Sequence, residues 1–303
     1  MLDDLGYTLQ ALFDYILKSE VRRKAEPEQL KSVCLMLGPY RNLTTLTASI
    51  MALHPKTQVL NHAGKRIYHL KQTNFFQNYT DRTFENFCRY AVAISSGGKR
   101  GDYGGSITLS HAFANHGRMG KLYRARYGDK VIKDEIQCLF WKESMRTCNM
   151  IRENQVDLNA LFKQNRILRF LMPIRNPLDC ALSNMKTGHT KYIHTLSKIE
   201  PEQVLDAIMQ EISWFMTLHE KHPDRFFYYI QNQFDRTTLV QLAEFLNLDP
   251  DEQWIKDALE VYVMRKPYSY TPGLIRQYKK SLEHLNHIPE LKSRLEEFIP
   301  DVK

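Results

Sequence analysis

Along this chain, short unbroken apolar runs alternate with stretches in which apolar residues recur every three or four positions. Val33-Cys-Leu-Met-Leu37 and Ile167-Leu-Arg-Phe-Leu-Met-Pro-Ile174 are runs of the first kind. A continuous run of that length predicts a strand buried on both faces of a parallel sheet. Gln58-Val-Leu-Asn-His-Ala-Gly64 reads as a second strand ending in a polar turn, and Asp224-Arg-Phe-Phe-Tyr-Tyr-Ile230 as an aromatic strand. Lys130-Val-Ile-Lys-Asp-Glu135 reads as a further core strand that ends in charge. Helical spacing marks 2–17, 45–53, 84–94, 139–151, 156–162, 202–219, 237–246 and 282–298. Strands alternating with helices predict a single α/β domain: three layers, with a central, mostly parallel sheet flanked by helices and ligands at the strand C-termini. Residues 1–31 form a helical extension, 32–280 the core and 281–303 a closing helix.

Composition narrows the picture only modestly. A chain of 303 residues with 43% apolar and 25% charged residues can bury a substantial core and is no candidate for disorder. The net charge of +8 favours anionic partners. Five cysteines lie far apart with no Cys-x-x-Cys pair, which predicts reduced, buried thiols and no metal site. The acidic start Met1-Leu-Asp-Asp builds no signal-peptide core, and no apolar run approaches the roughly eighteen residues of a membrane span. A cytoplasmic location without a membrane span follows as the expectation.

The first candidate for chemistry is the turn after the first strand, Gly38-Pro-Tyr-Arg-Asn-Leu-Thr-Thr45. A strand, a tight turn and a helix N-terminus together present unpaired N–H groups and a partial positive charge to an anion. Arg41 adds a cation, and Thr44 and Thr45 add hydroxyl donors. The helix that follows stops at His54-Pro55, because a residue before proline leaves the α region.

The Gly-Lys-Ser/Thr end of the usual nucleotide loop is absent. What stands in its place resembles the phosphosulfate-binding loop of sulfotransferases, a strand followed by Gly-x-x-Arg/Lys-Ser-Gly-Thr-Thr and a helix ending near His-Pro. Gly38, Arg41, Thr44, Thr45, His54 and Pro55 match, while Asn42 and Leu43 replace Ser-Gly. The missing glycine removes the easy route to positive φ. A second segment, Arg175-Asn-Pro-Leu-Asp-Cys-Ala-Leu-Ser183, resembles the family's 3′-phosphate segment, in which an Arg-x-Pro turn is followed by Ser eight residues after the Arg. Arg175 leaves the strand end as a bidentate clamp, Pro177 starts the helix where its missing N–H costs nothing, and Ser183 lies two turns on.

The resemblance spans roughly residues 32 to 280 and implies a P-loop nucleotide-hydrolase-like sulfotransferase fold. It implies 3′-phosphoadenosine 5′-phosphosulfate (PAPS) as the donor and adenosine 3′,5′-bisphosphate as the product. Gly38, Arg41, Asn42, Leu43, Thr44, Thr45, Arg175, Ser183 and, from the basic tail that holds Arg265 and Lys266, Ser269 would hold that nucleotide. For catalysis the resemblance points to Arg41 and, at a charged strand end, Lys133. Asn61 and His62 fall where the family reaches its base, and His111, in a segment that also holds His116, is the second candidate. A neutral imidazole takes a proton from an acceptor hydroxyl near pH 7. The Gly-rich stretch 96–105, with Lys99 and Arg100, is either a plain surface loop or a lid over the acceptor site.

These readings amount to transfer of a sulfonate to a hydroxyl or amine of a carbohydrate, lipid or small metabolite, with no metal and no nucleic-acid partner. Two rivals stand beside it: a P-loop kinase-like phosphotransferase, and a non-catalytic protein binding a nucleotide or a sulfated glycan. Oligomeric state is open.

Overall fold

Five apolar runs become the parallel strands of one sheet. In the computed structural model, which describes residues 9, 29–98, 104–114, 117–196, 198–264 and 267–300, these are β1 (Ser32–Met36), β2 (Thr57–Asn61), β4 (Cys138–Lys142), β5 (Leu168–Ile174) and β6 (Phe226–Ile230). The two-residue β3 (Gly105–Ser106) pairs antiparallel to β2 at one edge. The strand order is β3-β2-β4-β1-β5-β6, so β1 lies between β4 and β5. Val33 stands opposite Leu139 on one side and Leu168 on the other.

Successive residues of β1 enter different cores, as a pleated strand requires. Val33 and Leu35 join Leu139, Trp141, Leu168 and Phe170 in one cluster, while Cys34 and Met36 join Phe140 and Leu171 in the other. The first cluster is covered by α3 (Asp81–Ser95), α5 (Met145–Glu153), α7 (Pro177–Thr187) and α8 (Pro201–Lys221); the short α2 (Gly64–Tyr68) and α6 (Leu158–Gln164) also feed it. The second is covered by α1 (Thr44–Leu53), α4 (Arg118–Tyr127), α9 (Arg236–Phe245) and α10 (Glu252–Val261). The expected three layers are therefore present, with α11 (Pro272–Ser281) and α12 (Pro289–Glu296) packed on the first core.

Local signals fix the helix ends. Thr80 and Thr83 form a reciprocal capping box at α3, and Asp235 and Asp251 cap α9 and α10. His54 turns extended (ψ 134°) after α1. Its Nδ1 accepts from Lys56 N at 3.2 Å and its ring meets Trp254 edge-on, so this histidine ends a helix and stays in the core. All five cysteines are buried and unbonded. Among the described residues, no helix is long and apolar enough to cross a membrane.

Three sequence expectations change. Residues 130–135 form no strand; the strand is Cys138–Lys142, within a stretch whose pattern predicts helix from 139. A short run buried on both faces has no periodicity to separate strand from helix. The closing helix 282–298 is broken into a 3-10 turn, Leu282–Leu285, and α12, which restarts at Pro289. Helices α2, α4, α10 and α11 carry no prediction, and the predicted helix at 2–17 lies outside the described residues except for Leu9.

Lys133 is correspondingly misplaced by the strand reading. It lies in the connection before β4, 8% exposed, with its backbone N donating to Gln58 Oε1 (3.0 Å) and its Nζ to the Ala52 carbonyl (2.9 Å). The Nζ also lies against the rings of Tyr123 and Tyr127, and Lys133 is not among the residues that line the cavity described below. Burial, helped by the charge of Arg126, pushes its pKa down to about 6.

A lysine depressed in the folded state releases its proton there while the unfolded chain keeps it. Stability from this group therefore grows as pH rises above the folded pKa and is lost as pH falls toward it. Between pH 6.5 and 7.5 the stability of wild type minus that of Lys133→Met should rise by about 1 kcal/mol. Urea unfolding at the two pH values checks this; a pH-independent difference contradicts the buried, depressed lysine.

Candidate functional site

β1 delivers the chain into a turn with three left-handed residues, Gly38 (φ 95°), Arg41 (φ 62°) and Leu43 (φ 59°). Its φ is what favours glycine at Gly38; a Cβ there would also lie 2.8 Å from the terminal methyl of Met172 on β5, which would have to shift. α1 then begins at Thr44 with no side-chain cap and no acidic residue in its first turn. Thr47 N, donating to Leu43 O at 3.0 Å, makes the first hydrogen bond, so the N–H groups ahead of it face the turn. Leu43 adopts the left-handed conformation that the absent glycine would have supplied freely.

β5, the neighbour of β1, ends in the second turn. Asn176 caps α7 by accepting from Leu178 N at 3.0 Å, and Pro177 opens the helix. Four hydrogen bonds from nitrogen donors join the two turns, beside a weaker one from Cys180 Sγ to Tyr40 O (3.4 Å). Arg175 N donates to Asn42 Oδ1 (2.8 Å), Arg175 Nη1 to Arg41 O (3.4 Å), Arg41 Nε to Ser183 Oγ (3.0 Å) and Asn184 Nδ2 to Tyr40 O (2.7 Å). The buried Asn42 is thus the tie between turns and does not line the cavity; Gly38 likewise shapes the wall from behind.

Between the turns and the end of β2 lies a cavity of about 700 Å³. Arg41, Leu43, Thr44, Thr45, Arg175 and Ser183 line it, together with His62 and His111. Ser269 does not. It is exposed, while its neighbour Tyr268 lines the cavity, because Tyr268 N (2.9 Å) and Tyr270 OH (2.8 Å) both donate to Asp179 Oδ1 and turn the segment that way round. His116, Lys99, Arg100, Arg265 and Lys266 lie outside the described residues. At the far end of the Gly-rich loop, Gly104 (φ 68°) packs where a Cβ would meet the Ala63 backbone at 2.3 Å.

The cation that the sequence misses is Lys142, the last residue of β4. It is 6% exposed, lines the cavity, and its Nζ lies 2.9 Å from His62 Nε2. Burial, with the nearby charge of Arg41, pushes its pKa down to about 8 against the opposing pull of Glu143. The signal was present in the sequence as a charged pair, Lys142-Glu143, directly after Cys138-Leu-Phe-Trp141, but the helical reading of that run concealed it.

His62 is held in a left-handed conformation (φ 57°), its N donating to Lys142 O (3.1 Å) and its carbonyl accepting from Trp141 Nε1 (2.5 Å). His111 is exposed at the rim. His189, unremarked in the sequence, lines the wall with its ring 5.3 Å from that of Tyr40. The two carboxylates that line the cavity are engaged, Asp179 with Arg175 (3.2 Å) and Glu260 with Arg118.

Among solved structures, the chain is similar to mouse sulfotransferase SULT7A1 complexed with PAP, at 11% identity and a TM-score of 0.41 over 88% of this chain and 89% of that one. It is also similar to the sulfotransferase domain of the Synechococcus PCC 7002 olefin synthase, at 11% identity and a TM-score of 0.35 over 82% of this chain and 93% of that one. No family profile and no curated protein sequence matches it. Likeness this distant assigns no residue and no ligand.

The left-handed Leu43 yields a stability test. Leu43→Gly and Leu43→Ala remove the same packing, but only glycine relieves the backbone, so the glycine variant should be more stable than the alanine variant by about 1 kcal/mol. Chemical denaturation of the pair decides it. Equal stabilities would contradict a left-handed residue at this position.

Proposed function

We propose that this protein is a sulfotransferase that moves a sulfonate from PAPS to a hydroxyl or amine of a carbohydrate, lipid or small metabolite. One observation carries the reading. The two segments that resemble the family's anion-binding motifs meet in a single cavity, with Arg41 Nε donating to Ser183 Oγ at 3.0 Å. The donor set fits such a nucleotide: two guanidinium groups, an uncapped helix N-terminus free of acidic residues, and hydroxyls from Thr44, Thr45 and Ser183. A cavity of about 700 Å³ is in the range of nucleotide-sized sites.

PAPS would supply an activated sulfonate on a good leaving phosphate. Arg175 and Ser183 would hold its 3′-phosphate, and Thr44, Thr45 and the first N–H groups of α1 its phosphosulfate. Arg41 and Lys142, both in the cavity wall, would stabilise the charge that builds on the leaving oxygen, a role the sequence suggests for Arg41 with Lys133. His62 would take the acceptor proton. Its Nε2 sits beside Lys142 in the cavity wall, whereas His111 stands exposed at the rim. The engagement of Asp179 and Glu260 with arginines leaves neither as a ready magnesium ligand, which favours this reading over a kinase-like one. Buried, unbonded cysteines fit a reducing, cytoplasmic setting.

With labelled PAPS and a panel of acceptors, His62→Gln should lower kcat by about 10²-fold or more. Lys142→Met should lower it by roughly 10²–10³-fold, and His111→Gln by less than about tenfold. Loss on His111→Gln with His62→Gln active would reassign the base. Transfer of phosphate from ATP–magnesium in place of sulfonate would overturn the proposal.

A further inference from the structure

We propose that Glu143 is the residue that positions His62 as a base, an inference that rests on the assignment of His62 above. Glu143 follows Lys142 at the end of β4, its side chain has no solvent exposure, and it does not line the cavity. A carboxylate at that depth is tolerated only when its oxygens are met. Oε1 accepts from Tyr40 OH at 2.8 Å, and Oε2 accepts from Gly64 N at 3.1 Å. Oε2 also faces Arg146 Nη1 at 3.8 Å and His62 Nδ1 at 3.9 Å.

The surrounding chain is built around this group. A Cβ on Gly64 would fall 2.8 Å from Glu143 Oε2, so the residue that opens α2 has to be glycine for the carboxylate to sit there. The turns after β1 and β2 and the first turn of α5 each contribute a partner. None of these contacts touches the cavity except through Tyr40 and His62.

The consequence for His62 follows from donor and acceptor counting. An ammonium has only protons to give, so Lys142 Nζ, 2.9 Å from Nε2, donates and Nε2 accepts. The ring proton is then on Nδ1, the nitrogen that faces the Glu143 carboxylate. Glu143 favours that tautomer, and when Nε2 takes a proton from the acceptor, the imidazolium charge forms beside a buried anion. Nε2 becomes available once Lys142 turns its ammonium to an anion in the cavity.

Nitrogen-15 spectra of the full chain, labelled at its 11 histidines and assigned for His62 with His62→Gln, read this directly at pH 7. Wild-type His62 should carry its proton on Nδ1. With Lys142→Met as background, so that no ammonium fixes the tautomer, Glu143→Gln, whose amide can donate to Nδ1, should move the signal toward the Nε2-protonated form. In the single variant Glu143→Gln kcat should fall roughly 10- to 100-fold with the KM for PAPS changed less than about twofold, a smaller loss than for a directly bonded carboxylate because the pair is longer than a hydrogen bond. A wild-type His62 protonated on Nε2, or a tautomer indifferent to Glu143→Gln in the Lys142→Met background, overturns the inference. If Glu143→Gln does not fold, Lys142→Met decides: a His62 still protonated on Nδ1 beside Glu143 supports the inference, and one protonated on Nε2 overturns it. An Nδ1-protonated His62 that responds to Glu143→Gln, in a protein that transfers no sulfonate to any acceptor, would instead overturn the function and leave the pair standing.

Discussion

Neighbouring parallel strands end side by side, and the site depends on that. β1 and β5 are paired along their length, so the turns that leave them start within reach of each other. Four hydrogen bonds from nitrogen donors then fasten turn to turn, three of them from side chains or backbone of Arg175 and Arg41 themselves. The groups proposed to hold the nucleotide are therefore fixed relative to one another, which would spare a binding step the entropy of ordering them. β4, on the other side of β1, brings Lys142 to the same edge.

Gathering Arg41, Arg175 and Lys142 around one cavity would be self-repelling without compensation. The chain places a buried carboxylate behind two of them. Asp179 pairs with Arg175 and also anchors the 268–270 segment, and Glu143 sits behind Lys142 and His62. Ser183 accepts from Arg41, and the charge of Arg41 contributes to the lowered pKa of Lys142. Backbone strain is concentrated in the same place. Of six non-glycine residues with positive φ among the described residues, Arg41, Leu43, His62 and Ala63 belong to the turns after β1 and β2. Conformations of this kind cost of order 1–3 kcal/mol each and persist where the surroundings hold them.

Most of the scaffold was legible because its strands are short, apolar and bounded by turn residues, and because Arg41, Arg175 and Ser183 lie at fixed offsets from those strand ends. The misreadings share one physical origin. A strand buried on both faces looks like part of a buried helix, so Cys138–Lys142 was hidden, its terminal lysine with it, and Lys133 was given the place of Lys142. Ser269 failed for a different reason. Which residue of a loop faces inward depends on distant partners, here Asp179 bonding to the Tyr268 and Tyr270 positions, and no local pattern encodes that. Glu143 carries no signature at all, since a buried carboxylate and a solvated one read alike in sequence. Its partners Tyr40, Gly64 and Arg146 come together only in the fold.

The proposed function requires two anion clamps on opposite ends of one nucleotide. Calorimetry of wild type and Arg175→Ala with adenosine 3′,5′-bisphosphate and with adenosine 5′-monophosphate isolates it. The substitution should weaken the bisphosphate by about 10-fold or more while leaving the monophosphate within about twofold, since a charge-assisted bond is worth about 1.5–3 kcal/mol. Equal weakening of both ligands, or of neither, would contradict it.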